Sequence, residues 1–166
     1  MKVNVFLLLI IAFVGVVNAQ TCNSNMVISK PNAQYSISAD GTEVTDLKTG
    51  LIWQRCAVGM SWDGTACGGT ATPYNWENAL AYAATQTGWR LPNLKELHSL
   101  VERSCANPAI NETAFPNTPA TDSDYFWTSS LSVTTGLSNE ALPVFFNTGA
   151  DSRVDKQYGL LVRLVK

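Results

Sequence analysis

Histidine occurs once in the 166 residues, at His98, and no cysteine follows Cys105. A single histidine excludes metal centres that need two or three imidazoles from one chain. Charge is scarce too: Asp, Glu, Lys and Arg make up 14% of the residues, below the usual quarter or so. Lys and Arg never form a run and the net charge is −2, which argues against nucleic acid and against anionic membrane surfaces as partners. A Gly-x-Ser-x-Gly elbow, a CxxC pair, an internal repeat and a low-complexity tract are all missing.

What is present starts with an export signal. Lys2 gives a positive start, Val5 to Val17 is apolar apart from Gly15, and Val17-Asn18-Ala19 supplies the residues a signal peptidase reads. Cleavage after Ala19 is expected, because the apolar run is shorter than the ~20 residues of a membrane-spanning helix. Ala19-Gln20-Thr21 ahead of Cys22 is not a lipobox. The expected organisation is a signal peptide over residues 1–19, an N-terminal extension over 20–40 and one domain over 41–166. The exported chain carries a net charge of −3 once Lys2 is removed, and no membrane insertion follows cleavage. Its expected location is periplasmic, cell-surface or secreted. Four cysteines, Cys22, Cys56, Cys67 and Cys105, then predict two disulfides. Three pairings are open, and spacing alone does not choose. The short loop from Cys56 to Cys67 can close on itself, which would leave Cys22 to Cys105. A zinc site fails on spacing.

Residues 39–54 read as a hairpin, with strands around Glu43–Thr45 and Leu51–Gln54, a turn ending at Gly50, and Trp53 in the core. Two helices follow. Asn75 caps the first, whose Trp76, Ala79, Leu80 and Ala83 share one face, and Gly88 stops it. In the second, Asn93 and Glu96 resemble a capping box, and Leu94, Leu97 and Val101 form a stripe with Leu100 at its edge. Residues 106–124, with three prolines, predict a long ordered loop. Strands are expected at Tyr125–Ser129, Leu142–Phe146 and Gly159–Val165, with Pro143 delaying the second or placing it at an edge. No βαβ rhythm appears, so the class is α+β with antiparallel sheet.

The run from Gly41 to Gln54 (GTEVTDLKTGLIWQ) resembles the opening of the domain of unknown function numbered 1566. That family is also called the C-terminal domain of the Legionella collagen-like protein. Trp89 to Val101 (WRLPNLKELHSLV) matches its middle signature. Pro108-Ala-Ile-Asn111, Phe115-Pro116, Tyr125 to Ser130 and Val162-Arg-Leu-Val165 continue the resemblance to the C-terminus. It implies a C-type-lectin-like fold of the formylglycine-generating-enzyme variety, with two helices, short antiparallel strands and disulfides. The insert from Cys56 to Cys67 belongs to one branch of the family, and the cysteine after the second helix in that branch supports the pairings Cys56–Cys67 and Cys22–Cys105. The family is mostly bacterial and exported, with carbohydrate and glycosaminoglycan adhesion as its implied role. Relatives on this fold that oxidise substrates through iron need several histidines, and those that make formylglycine need a late cysteine pair. Neither set exists here.

Candidate site residues follow from chemistry. Sugars are held by exposed aromatics with Asn, Asp and Glu on their hydroxyls, which points to Trp62 and Asp63, to Asp122, Asp124 and Tyr125, and to Asn139 and Glu140. Phe126 and Trp127 are expected in the core. Arg153 and Lys156, flanked by Asp151 and Asp155, make a poor patch for an anionic glycan. The pairs Asp122/Asp124 and Asp151/Asp155 are the only calcium candidates, and neither has a known loop pattern, so no cofactor is expected. His98 reads as a structural or surface residue rather than a Ser-His-Asp member. Arg90 reads as a loop anchor whose guanidinium needs several acceptors. Asn111-Glu-Thr113 is a glycosylation sequon of consequence only in a eukaryotic secretory route. The expected function is non-enzymatic binding of a surface ligand, a glycan or an envelope protein. A structural part in a pilus or envelope complex is the alternative, and a hydrolase built on His98 ranks below both.

Overall fold

Short alternating runs broken by glycine, asparagine and proline can form only short strands, and the chain builds its sheets accordingly. The computed structural model describes residues 19–133 and 139–166, so all but the last residue of the signal peptide expected over 1–19 lies outside the described residues. In chain order the elements are β1 Thr21–Cys22, β2 Tyr35–Ile37, β3 Glu43–Asp46, β4 Ile52–Gln54, β5 Met60–Trp62, β6 Cys67–Gly69, α1 Trp76–Thr85 and α2 Leu94–His98. They continue with β7 Cys105–Ala106, β8 Tyr125–Phe126, β9 Glu140–Ala141, β10 Val144–Phe145, β11 Ala150–Asp151 and β12 Val154–Asp155. Every ladder between these strands is antiparallel, in the orders β2-β3-β4, β5-β6, β1-β7, β11-β10-β8 and β12-β9. The architecture is α+β.

The hairpin forms where the alternation places it. Val44 lies opposite Trp53 across β3–β4, and both are fully buried. Gly50, at φ +75°, closes the turn in a conformation that favours glycine. In α1, the Asn75 side chain accepts from the Asn78 amide at 2.8 Å, and Ala79 and Ala83 are buried. The helix ends at Thr85, ahead of Gly88. The capping box of α2 is complete: Asn93 Oδ1 accepts from the Glu96 amide, and Glu96 Oε2 accepts from the Asn93 amide. However, α2 stops at His98, short of the apolar stripe. Leu100 and Val101 continue it as a tight turn, their amides bonding three residues back to Leu97 and His98. Both are buried, so Leu100 is a core residue and not an edge.

The strand expected over Gly159–Val165 is a central spine instead of a continuous ladder. It forms isolated bridges from Leu160 to Tyr74, Leu161 to Phe126, and Val165 to both Arg90 and Trp53. The two-residue side-chain period survives. Leu161 and Val165 join a core with Val44, Trp53, Leu97 and Phe115, while Leu160, Val162 and Leu164 join another with Ala79, Leu91 and Trp127. With both faces covered, the segment lacks the polar alternation of a half-exposed strand. Phe126 and Trp127 split in the same way, one into each core, and both are fully buried. Pro143 immediately precedes β10, and β8 stops at Phe126.

Both disulfides are present, Cys22–Cys105 and Cys56–Cys67. Cys22 lies directly opposite Cys105 in the β1–β7 pair, so the bridge and the ladder tie residues 19–34 to the body together. Two buried arginines bind the loops. Arg55 donates to the carbonyls of Ala114, Gly41 and Thr113. Arg163 is fully buried and donates to the carbonyls of Gln54 and Arg55 and to Thr118 Oγ1, over the rings of Phe115 and Phe126. The loop-anchoring role expected of Arg90 belongs to these two. Arg90 itself is exposed and forms a two-bonded pair with Glu96, both bonds 2.7 Å.

Candidate functional site

Most of the sequence-derived candidates serve the fold locally. Asp63 accepts from the Thr65 amide, the Thr65 hydroxyl and the Ala66 amide, closing the β5–β6 turn, and these bonds lower its pKa. Asp124 accepts from the Thr121 amide and hydroxyl, and Asp122 from the Asn147 side chain. Tyr125 stacks on Phe145 at 4.5 Å, and Asn139 donates to Asp155 across β9–β12. Glu140 is half-buried, with one oxygen lacking a partner. Asn111 is buried: its amide donates to the Lys30 carbonyl and Asn32 Oδ1, so the folded sequon is inaccessible to a transferase. Among the described residues, no group of three or more His, Cys, Asp or Glu is placed to hold a metal.

A different set of residues comes together beside α2. A concavity of about 500 Å³ is lined by Lys30, Lys48, Lys95, His98, Arg103 and Asp151, with Ser29, Ser99, Leu94 and Val101. Lys30 comes from the strap before β2, Lys48 from the β3–β4 turn, Lys95 and His98 from α2, and Arg103 from the turn after it. None of the four Lys and Arg residues has an ion pair, unlike Arg90, which pairs with Glu96, and Lys166, which pairs with Glu43. Burial lowers the pKa of Lys30 and repulsion from Lys48 adds to that effect, while attraction to Asp46 and Glu102 opposes it. Two carboxylates, Glu102 and Asp46, act on Lys30 from nearby. Glu102 accepts from the amides of Ser29, Lys30 and Ser104 and from the hydroxyls of Ser29 and Ser104. Asp46 Oδ1 accepts from the Gln34 side chain and the Lys48 amide, while its buried Oδ2 has no hydrogen-bond partner. Four cations facing Asp151 therefore form a positive cleft in an acidic chain.

Sequence reasoning missed this cleft because its cations lie far apart along the chain, each in a neutral or mixed-charge setting. The one local hint is Lys95 three residues before His98, a spacing that shares a helix face. A second concavity, of about 420 Å³, lies at the other end of the β3–β4 hairpin, with Glu43, Gln54, Trp62, Tyr82 and Trp89 in its lining. Of the expected sugar-binding candidates, Trp62 alone falls in either concavity.

The geometry defines a small disulfide-linked α+β domain with open surface concavities. The chain belongs to the Lcl C-terminal domain family, whose model matches residues 42–166. No curated protein and no solved structure matches it. Membership suits an extracellular or surface-associated domain, and two disulfides suit an oxidising compartment. No helix among the described residues is long and apolar enough to cross a membrane.

Proposed function

We propose that the chain is exported and works as a non-enzymatic binding domain on a C-type-lectin-like fold, holding an anionic surface glycan in the basic cleft. The observation that carries this reading is the convergence of Lys30, Lys48, Lys95 and Arg103, none of them ion-paired, on a concavity whose lining holds one carboxylate, Asp151. Sulfate or uronate groups on a polymer would supply the missing charge, and an open concavity admits a chain passing through. Catalysis at His98 has little support. The nearby Ser29 hydroxyl donates to Glu102, and the Ser99 hydroxyl to the Glu96 carbonyl, so neither is poised as a nucleophile. A part in an envelope assembly is favoured by one feature, the exposed run Met26-Val27-Ile28 on the strap, at 47, 90 and 61% exposure. Three residues are small beside the surface a stable protein interface needs.

The test is retention on immobilised heparin, a sulfated glycan. The wild-type chain is expected to bind at low salt and elute as the screening length shrinks from about 10 Å at 0.1 M to about 3 Å at 1 M. The double variant Lys48→Glu, Arg103→Glu should lose retention with its unfolding midpoint nearly unchanged. Equal retention of the variant would overturn the assignment.

A further inference from the structure

We propose that the groove at the open end of the β3–β4 hairpin is a second site, separate from the cleft, and that it takes an uncharged sugar. The first argument is how its aromatic wall is held. Trp62 lies against the Arg55 guanidinium, 3.7 Å from ring centroid to carbon, and three backbone carbonyls fix that guanidinium in turn. Gly41 makes room for the indole: a Cβ there would stand 2.3 Å from Trp62 Nε1. Lys166 lies 4.5 Å from the Trp89 ring centroid and bonds Glu43 at 2.7 Å, so this second indole is braced too. Rings fixed before a ligand arrives cost little ordering entropy on binding.

The second argument is charge. Unlike the cleft, the groove has its ions matched: Lys166 with Glu43, and Arg55 with carbonyls and a ring. An anionic ligand would have to displace Glu43 from Lys166, and a cationic one would meet Lys166 and Arg55. The third argument is polarity. The side chains of Gln54, Ser61 and Tyr82 line the groove and make no hydrogen bond within the protein. A pyranose has an apolar C–H face for an aromatic ring and a rim of hydroxyls for an amide and two hydroxyls. A concavity of about 420 Å³ is of the size that holds such ligands. The sites are distinct in place: Glu43 pairs with Gln54 at one end of the hairpin, and Lys48 sits in the turn at the other. At roughly 3.4 Å per residue, more than 10 Å separates them. This inference does not depend on the anionic reading.

The experiment follows the tryptophan indole N–H signals by NMR while the full chain is titrated with uncharged oligomers of glucose, galactose, mannose and N-acetylglucosamine. Saturable shifts at Trp62 and Trp89 are expected with at least one series. Gln54→Ala, which removes only a half-exposed amide, and Trp62→Ala should each weaken that binding about tenfold or more. Both should leave heparin retention unchanged, and Lys48→Glu should leave the sugar titration unchanged. If no oligomer shifts either indole, or if both groove variants keep wild-type affinity, the second site is wrong, whatever heparin does. Lost heparin retention in Lys48→Glu, Arg103→Glu with flat sugar titrations would sink this inference alone.

Discussion

The two ends of the β3–β4 hairpin treat positive charge in opposite ways. At the open end, Arg55, Arg163 and Lys166 are consumed by the protein: by carbonyls, by aromatic faces and by Glu43. At the turn end, Lys30, Lys48, Lys95 and Arg103 have no such partners. Removing a cation that the protein binds should damage the fold, whereas removing one that it leaves unpaired should damage only recognition. Charge is therefore informative here by its partners and not by its amount, which at 14% of residues is modest.

Arg163→Ala tests that contrast most severely. The side chain is fully buried, with three bonds to fixed acceptors and two rings against it, and burial lowers its pKa. Truncation leaves a cavity and strands the carbonyls of Gln54 and Arg55, an expected loss of about 3–4 kcal/mol in urea unfolding. Lys48→Ala under the same conditions should stay within about 0.5 kcal/mol of wild type, as an exposed side chain without partners. Equal losses in the two variants would erase the distinction between the hairpin's ends.

What could be read in advance was whatever depended on near neighbours in the chain. The Asn93–Glu96 box needs only a three-residue spacing, and the Val44–Trp53 pair only an alternating hairpin. The Cys56–Cys67 bridge closes a short loop, but the family resemblance, and not spacing, favoured it. The rest depended on remote partners. Arg90 and Arg163 both occur in Arg-Leu motifs, yet only the fold decides which one is buried. Glu102 stood outside every motif, although it organises the strap. The cleft gathers cations from four separate segments, so no window of sequence contains it.

Glu102 gives the next effect in size, and a pH dependence with it. Burial opposes its charge, but the bonds from Ser29, Ser104 and Lys30 outweigh burial and hold its pKa down at about 2, against 4.5 for a free glutamate. A carboxyl depressed in the folded state lends stability that is complete above about pH 4.5 and is lost as pH falls toward about 2. Glu102→Gln should cost about 2 kcal/mol at pH 7, the scale of hydrogen bonds to a charged group, and much less at pH 3. Amide exchange at Ser29 and Lys30 should accelerate in the variant at pH 7, showing that the strap before β2 has loosened while Cys22–Cys105 still tethers it. A variant that loses stability equally at both pH values would show that the charge is not what holds the strap.

Arg90→Ala should have the smallest effect, for a reason that separates it from Arg163. Its guanidinium makes two 2.7 Å bonds to Glu96, the geometry of a strong pair, yet its side chain is 50% exposed. Water competes for both partners, and such pairs contribute about 0.2–1 kcal/mol. Glu96 also keeps a second duty without Arg90, because its carboxylate still accepts the Asn93 amide and completes the α2 cap. The backbone bonds between Arg90 and Val165, which hold the spine, do not involve the side chain. The expected loss is therefore about 0.5 kcal/mol, vanishing in 1 M salt as the pair is screened. A loss above about 2 kcal/mol that persisted in salt would restore Arg90 as a loop anchor and blur the line between partnered and exposed cations.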